Sequence, residues 1–244
     1  MKALLKWLGL CLLALLGLQL FFVLKVLAMN GVAPESTSFE RSQMVQILQR
    51  ERRLSWRQEW KDLSDISKNL QRTVIASEDG AFTQHKGIWW DSIEKAWEKN
   101  AKAQARAEKQ AGQRPGQQAA APKIVGGSTN TQQLAKNLFL SGERTLLRKG
   151  QETAITLMLE ACLSKRRILE IYLNHVEWGE GVFGAEAAAR HYFRKPASEL
   201  GAWESARLAV MLPRPRFFEK LPQSSYLAER SEVIMARMNS VTLP

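Results

Sequence analysis

Two glutamates, Glu78 and Glu152, stand where a carboxylate is unusual in a helical chain. Counting in fours from Ile66 gives Leu70, Val74 and Glu78, so this carboxylate continues an apolar stripe. It would also lie at the C-terminal end of a helix, where the helix dipole disfavours negative charge. Both features raise the pKa of a carboxyl group and make it a better base near neutral pH. An acid paired with Arg or Lys, or frayed into water, is the alternative that these residues leave open.

Glu152 repeats the pattern, because it shares a stripe with Ile155 and Leu159. It lies in the first turns of a predicted helix, where the dipole favours an acid, and Arg148 and Lys149 precede it by one turn. A structural ion pair explains this arrangement. A carboxylate that holds a basic cluster or a divalent ion beside a phosphate explains it equally well.

A polar run leads into a predicted helix in residues 126–140. Two glycines precede six uncharged polar residues, Ser128 to Gln133, and Leu134 and Leu138 then share one helix face. A helix start preceded by glycine leaves backbone N–H groups free for an anion. The run indicates a site for a polyhydroxylated, phosphorylated ligand, and a capped helix with a polar first turn is the alternative.

Basic residues recur around this run. They are Lys136, Arg148, Lys149, Lys165, Arg166 and Arg167. Each alone is most often a solvated charge. Together with the two carboxylates on apolar stripes, they suit glycosyl transfer from a diphosphate donor. In that reaction a carboxylate accepts a proton from the acceptor hydroxyl, and cations stabilise the departing diphosphate.

The N-terminus predicts a membrane anchor. Trp7 to Leu24 is interrupted by only one strongly polar residue, Gln19, and at about 1.5 Å per residue it spans roughly 27 Å, close to the thickness of a bilayer core. No good cleavage site follows, so we expect the anchor to be retained. Lys2 and Lys6 precede it, which predicts a cytoplasmic N-terminus.

Charge and composition narrow the class of protein. The 244 residues carry a net charge of +11, which fits an anionic membrane surface, and no nucleic-acid-binding signature is present. Cys11 and Cys162 cannot plausibly pair, since one lies in the anchor and the other in a predicted helix. The three histidines lack zinc-ligand spacing, so no tightly held metal is expected.

Helical periodicity dominates the rest of the chain, and no run alternates convincingly at period two. We therefore predict a mainly α fold. The predicted helices cover residues 42–53, 63–79, 148–174 (one helix or two), 185–193, 200–212 and 226–238, and 88–100 is a Trp-rich segment. The predicted organisation is a cytoplasmic tail (1–6), an anchor (7–29), a membrane-proximal segment (30–62) and the main domain (63–244), with 101–122 as a mobile loop or fraying helix.

Five ordered motifs carry a family resemblance. They are EDGAFTQHKG at 78–87, GGSTNTQQLAKNLFL at 126–140, RKGQE at 148–152, SKRRILEIYLN at 164–174 and GVFGAEAAARHYFRKP at 181–196. The set resembles the peptidoglycan glycosyltransferases, the family 51 transferases of bacterial cell-wall synthesis. The resemblance covers about residues 65–222 and implies a lysozyme-like α-helical fold with a small membrane-proximal jaw.

The resemblance also implies a reaction and residue roles. The family polymerises lipid II into β-1,4-linked glycan strands, inverts C1 of the donor MurNAc and releases undecaprenyl diphosphate. Glu78 matches the general base, and Glu152 matches a second glutamate that helps to place the donor diphosphate. Phosphate-binding cations are matched by Lys136, Arg148 and Lys149, and the donor-side lining by Ser128, Thr131, Gln132, Gln133 and Asn137.

The resemblance further implies binding partners and a cellular location. The resemblance implies lipid II, the growing glycan strand and the membrane as partners, with other cell-wall synthesis or division proteins beside them, and no nucleic acid. No tightly bound cofactor is expected, although Mg²⁺ or another divalent ion near Glu152 is compatible with the family. The catalytic domain would lie in the periplasm, on the outer face of the cytoplasmic membrane.

The sequence departs from the family at two places, and two other functions remain open. Position 130 usually carries an aliphatic residue and here is Asn130, and residues 101–122 are longer than the usual linker. One rival function is a lysozyme-like enzyme that cleaves glycan, which would not need the basic cluster. The other is a non-catalytic, membrane-anchored scaffold, which would not need Glu78 on an apolar stripe.

Overall fold

The structure is a computed structural model that describes residues 2–113, 126–140, 142–143 and 145–244. These ranges are mainly helical, which confirms the predicted fold class. The α-helices are α1 (Lys2–Ala28), α2 (Ser38–Glu51), α3 (Lys68–Glu78), α4 (Trp90–Gln113), α5 (Asn130–Phe139), α6 (Leu146–Cys162), α7 (Lys165–His175), α8 (Ala185–Phe193), α9 (Ala202–Met211), α10 (Pro215–Glu219) and α11 (Ser225–Arg237). Short 3-10 turns cover Leu63–Asp65, Ala197–Glu199 and Met238–Ser240.

A small sheet accompanies the helices. Its strands are β1 (Arg57–Gln58), β2 (Glu177–Gly179) and β3 (Val182–Phe183), in the order β1-β3-β2. β3 pairs in parallel with β1 and antiparallel with β2. Strands of two or three residues are too short to show a period-two pattern, so hydrophobic periodicity could not predict them.

Two predicted helices have different limits in the structure, and one of the two alternatives for a third segment is decided. The stretch 63–79 begins as a 3-10 turn, and α3 starts only after Ser67, whose hydroxyl accepts the N–H of Asn69 and caps the helix. The stretch 148–174 is two helices, because Ser164 caps a new helix, α7. Residues 101–113 continue α4 as helix, which is one of the two alternatives predicted for 101–122, and residues 114–122 lie outside the described residues.

The core forms where α3 packs against α9 and α11. Leu70 and Val74 of α3 are fully buried, as the stripe predicts. Trp178 is also fully buried, and its indole N–H donates to the carbonyl of Leu208 at 3.0 Å, which satisfies its one polar atom. This packing fixes the C-terminal end of α3, where Glu78 lies.

The membrane-proximal segment packs onto the main domain. α2 lies against α5, and its buried Glu40 is 2.8 Å from Nδ1 of the buried His175, at the end of α7. The Gln58 amide of β1 donates to the same carboxylate at 3.0 Å. Residues 30–62 therefore form one wall of the domain rather than a separate stalk.

α1 is the one helix of the described residues that is long and apolar enough to cross a membrane. From Lys2 to Leu18 it is exposed, whereas Val26 and Met29 at its other end are buried in the core. The predicted anchor thus continues directly into the folded domain. Cys11 and Cys162 are both free, as predicted.

Candidate active site

A buried carboxylate joins the end of α3 to the start of α5. Asp79 caps α3, and its Oδ2 accepts the backbone N–H of Asn130, the first residue of α5, at 2.9 Å. His85 lies with Nε2 2.9 Å from Asp79 Oδ1, and its Nδ1 accepts the N–H of Gly87 at 3.0 Å. Since Nδ1 accepts, the proton lies on Nε2, which donates to Asp79. This network holds the predicted base next to the predicted donor loop.

Glu78 is half-buried beside this junction. The amide of Gln133 donates from Nε2 to Glu78 Oε2 at 3.1 Å, and the Tyr172 hydroxyl donates to the other end of that amide at 3.2 Å. Burial is the main reason that the pKa of Glu78 is raised, and the neighbouring Asp79 raises it further, whereas the Gln133 bond lowers it. The direction agrees with the sequence prediction, and the structure adds Gln133 as the opposing group.

The polar run divides between capping and lining. Thr129 accepts the N–H of Gln132, and the Gln132 side chain accepts the N–H of Thr129, which forms a capping box. Thr129, Asn130, Thr131 and Gln132 are all buried. A capped helix with a polar first turn, the alternative reading, therefore describes part of the run, while Ser128 and Gln133 face the cleft described below.

The cationic end of the site is built on the first turns of α6. The Thr145 hydroxyl caps this helix by accepting the N–H of Arg148. Glu152 is buried, and its two oxygens pair separately, Oε2 with Arg148 Nη1 at 3.0 Å and Oε1 with Lys149. A carboxylate that orders two cations leaves a net positive charge of one at this end of the cleft.

One cleft of about 1380 Å³ is lined both by the predicted base, Glu78, and by the cationic end, Arg148 and Lys149. Small-molecule sites usually enclose about 300–1000 Å³, so this cleft has room for two large substrates. It is lined by every predicted site residue except Thr131, namely Glu78, Ser128, Gln132, Gln133, Lys136, Asn137, Arg148, Lys149 and Glu152.

Thr131 is the one predicted donor-side residue that does not line the cleft. Its side chain is fully buried away from the cleft, and its hydroxyl donates to Glu160 of α6 at 2.6 Å. Lys165 donates to the same carboxylate oxygen at 2.8 Å. Thr131 therefore braces α5 against α6 and α7. The other basic residues of α7 also lie off the cleft: Arg167 pairs with Glu170, and Arg166 is exposed.

Sequence reasoning missed two walls of the cleft. α2 contributes Ser38, Phe39, Ser42, Gln43 and Gln46, and α11 contributes Tyr226 and Arg230. These helices are distant in sequence from the motifs, and their polar faces look like ordinary solvated faces. The one available signal was the density of Ser and Gln in residues 36–49, which a surface helix does not require.

The donor set does not favour a metal held by the protein alone. Both oxygens of Glu152 already face cations. Within the described ranges, no group of three or more His, Cys, Asp or Glu residues could hold a metal ion. A divalent ion here would need the oxygens of a bound phosphate as its main ligands.

A carboxylate of raised pKa and a cationic end within one cleft fit the class of glycosyl-transferring enzymes. Comparison with known proteins agrees, because the family model described as Transglycosylase matches residues 43–239. The chain belongs to the transglycosylase family.

Named relatives match over nearly the whole chain. The biosynthetic peptidoglycan transglycosylase of Janthinobacterium sp. (strain Marseille) is 48% identical over 232 residues, which cover 95% of this chain and 93% of the relative. The protein of the same name from Herminiimonas arsenicoxydans is 48% identical over 245 residues, with 100% and 99% covered. A third, from Burkholderia orbicola (strain MC0-3), is 48% identical over 231 residues, with 95% and 87% covered.

Proposed function

We propose that this protein polymerises lipid II into β-1,4-linked glycan strands of peptidoglycan and releases undecaprenyl diphosphate. The observation that carries the proposal is that Glu78 and the Arg148–Lys149 pair line the same cleft. A hydrolase of glycan strands has no departing diphosphate and no need for that cationic end. A scaffold has no need for a carboxylate of raised pKa in a cleft.

The proposed reaction is a single inverting displacement. Glu78, deprotonated, accepts the proton of the acceptor's GlcNAc 4-hydroxyl as that oxygen attacks C1 of the donor MurNAc. The bond from C1 to the diphosphate oxygen breaks, and the electron pair leaves with the undecaprenyl diphosphate. Attack from the face opposite to the leaving group inverts C1 and gives the β-1,4 link.

The cationic end stabilises the leaving group. Lys136, Arg148 and Lys149 lie in the cleft where they can neutralise charge that develops on the diphosphate. Glu152 holds the latter two through ion pairs, and so acts through their positions rather than by proton transfer. No step requires a divalent ion, and any such ion would share the diphosphate oxygens.

Ser128, Gln132, Gln133 and Asn137 form the proposed donor-side lining. They line the cleft together with Lys136, along α5 and the residues just before it. Uncharged amides and hydroxyls suit a sugar, because they can donate to and accept from its hydroxyl groups.

The proposed location follows from the anchor. α1 has the length and composition to cross a membrane, and Lys2 and Lys6 precede its apolar span. Positive charge marks the cytoplasmic side, so we place the catalytic domain on the outer face of the cytoplasmic membrane. A lipid-borne substrate then reaches a tethered enzyme by diffusion within the membrane, at a high effective concentration.

The test is polymerisation of lipid II by the purified full-length protein in liposomes. We expect glycan polymer from the wild type and a loss of about 10²–10⁴-fold in rate for Glu78→Gln, as for other general bases. Glu94→Gln is the matched control, because Glu94 is exposed on α4 and away from the cleft. Cleavage of added glycan strands, or full activity in Glu78→Gln, would overturn the assignment.

A further inference from the structure

Gln19 is the polar interruption of the apolar span of α1, and it is bound by the catalytic domain. Its Nε2 donates to Oε1 of Gln151 on α6 at 3.1 Å, and Gln151 Nε2 donates back to Gln19 Oε1 at 3.3 Å. A polar side chain within a bilayer is costly unless its groups find partners. The reciprocal pair gives the oxygen and one N–H of each amide a partner, so Gln19 is paired specifically with Gln151.

A second hydrogen bond shows how the two helices are aligned. Asn30, just beyond α1, donates from Nδ2 to the carbonyl of Cys162, the last residue of α6, at 3.0 Å. Both bonds join residues that are 132 positions apart. α1 and α6 therefore run in the same direction and in constant register over this stretch, which is about 16 Å long at 1.5 Å per residue.

Apolar contacts fill the space between these two bonds. Phe22 packs edge-on against Phe139, the last residue of α5, with ring centroids 5.3 Å apart, and Val26 and Met29 are buried. Together with Gln19, these residues recur every three or four positions, which makes one continuous face of α1. This face meets the domain, whereas the residues from Lys2 to Leu18 do not.

The register also indicates how deep α6 lies. Continued at the same offset, Leu146 and Leu147 lie level with Ala14 and Leu15, inside the apolar span. These two leucines are 92% and 88% exposed in the protein, although they begin a helix of the catalytic domain. Acyl chains at that depth would cover them. Arg148 and Lys149 follow directly, and both are held by ion pairs to the buried Glu152.

We propose that Gln19 is a positioning residue for the polymerisation reaction, and this inference rests on the proposed function. The Gln19–Gln151 pair fixes α6 against the anchor, so that the first turn of α6 enters the leaflet on the side of the catalytic domain. The Arg148–Lys149 end of the cleft is thereby held in one fixed position relative to the anchor, and so relative to the membrane. The anchor then sets the depth of the active site as well as its location.

Disulfide cross-linking tests the contact without any substrate. In the full-length protein with Cys11→Ser and Cys162→Ser, the pair Gln19→Cys and Gln151→Cys should cross-link under mild oxidation in liposomes. Leu20→Cys with Gln151→Cys is the matched control, because Leu20 is 58% exposed on another face of α1, and it should not cross-link. No cross-link at 19 and 151, or equal yields for both pairs, would overturn the proposal.

Fluorescence tests the depth of α6. In the same background, an environment-sensitive dye on Leu147→Cys should be quenched by lipid-borne quenchers within the acyl chains. A dye on Leu54→Cys, which is exposed between α2 and β1, should not be quenched. Equal quenching at both positions would contradict insertion of the first turn of α6.

Kinetics test the positioning role. In liposomes we expect Gln19→Ala to lower kcat/KM for lipid II by about three- to tenfold, as befits one interhelical amide pair in a membrane. In detergent micelles, where no bilayer fixes the depth of the substrate, the variant should equal the wild type. Gln151→Ala should behave in the same way, the double variant should lose no more than either single variant, and Leu20→Ala should lose nothing.

The outcomes separate this inference from the proposed function. Equal losses in liposomes and micelles would indicate a merely structural role, and no loss in either would indicate no role, so both would overturn the inference. If the wild type makes no polymer at all, the proposed function fails, while the cross-link and the dye still report on the contact and the depth.

Discussion

At the scale of single residues, the proton chemistry depends on the surroundings of Glu78. Burial and the adjacent Asp79 raise its pKa, and Gln133 offsets part of that shift by donating a hydrogen bond to the carboxylate. Tyr172 in turn holds the Gln133 amide with its NH₂ group towards Glu78. The pKa of Tyr172 is raised well above its ordinary value by burial, so its hydroxyl remains a donor.

Gln133→Ala should shift the pH profile upwards. The base acts when deprotonated, so the acid limb of kcat/KM reports the pKa of Glu78 and should lie above the usual glutamate value of about 4.3. Loss of the Gln133 bond removes a group that lowers this pKa, and the limb should move to higher pH. Gln84→Ala is the control, because Gln84 is exposed. A limb that stays in place would contradict the role of Gln133.

Asn130 is a polar residue in an apolar position. It is fully buried, and neither Nδ2 nor Oδ1 has a hydrogen-bond partner. Its backbone N–H bonds to Asp79 and would keep that bond after a side-chain substitution. An aliphatic side chain, which the family resemblance leads us to expect at this position, would leave no buried polar atom unpaired here.

Asn130→Leu should stabilise the protein without changing its activity. Removing two unpaired buried groups should raise the free energy of unfolding by about 1–3 kcal/mol. Urea denaturation would measure this, with Asn239→Leu on the exposed surface as the control that should gain nothing. A destabilised Asn130→Leu variant would show that the amide has a partner in solution.

At the scale of elements, the junction between α3 and α5 organises the site. Asp79 places a negative charge at the N-terminus of α5, where the helix dipole favours it, and His85 completes its hydrogen bonds. Thr129 adds a bond from its hydroxyl to the Gly87 carbonyl at 2.6 Å. Gly87 itself has φ +83°, and a Cβ there would meet Thr156 at 2.7 Å, so only glycine fits.

Asp79→Ala should destabilise the fold and lower activity together. The change leaves the Asn130 N–H and the His85 Nε2–H without a partner, which should cost about 2–4 kcal/mol in the free energy of unfolding. The control is Asp91→Ala on the exposed start of α4, which should change stability by about 0.5 kcal/mol or less. Urea denaturation and the lipid II assay would measure both effects. An Asp79→Ala variant as stable as the control would show that the junction contributes little.

At the scale of the whole molecule, the anchor and the catalytic domain share a core. Val26 and Met29 belong to the main cluster of buried side chains, although both lie within the predicted anchor, residues 7–29. Arg167 of α7 donates to the carbonyl of Met29 at 2.7 Å and adds a polar tie at the same point. The C-terminal end of α1 therefore contributes to the core of the domain, whereas its exposed N-terminal turns do not.

Two truncations should separate these parts. Removing residues 1–18 takes away only exposed turns of α1, so the domain should unfold at the same urea concentration as the full chain in the same detergent. Removing residues 1–32 also removes Val26 and Met29, which should cost about 3–6 kcal/mol at 1.5–3 kcal/mol for each buried side chain. Equal stability of the two truncated proteins would show that α1 does not contribute to the core.

Local patterns in the sequence determined most of the secondary structure and the chemical groups of the site. The stripe through Leu70 and Val74 predicted α3 and the burial of Glu78, and the Gly-led polar run predicted the start of α5. These features depend on residues within a few positions of one another, so spacing and capping chemistry suffice to read them.

Tertiary structure alone decided which groups face the cleft. Thr131 and Gln133 are two positions apart in one polar run, yet one braces Glu160 and the other contacts Glu78. The same holds for α2, which forms a cleft wall, and for Gln19, whose partner is 132 residues away. Spacing along the chain shows that a polar group needs a partner, but only the packing of distant helices decides whether that partner is protein, lipid or substrate.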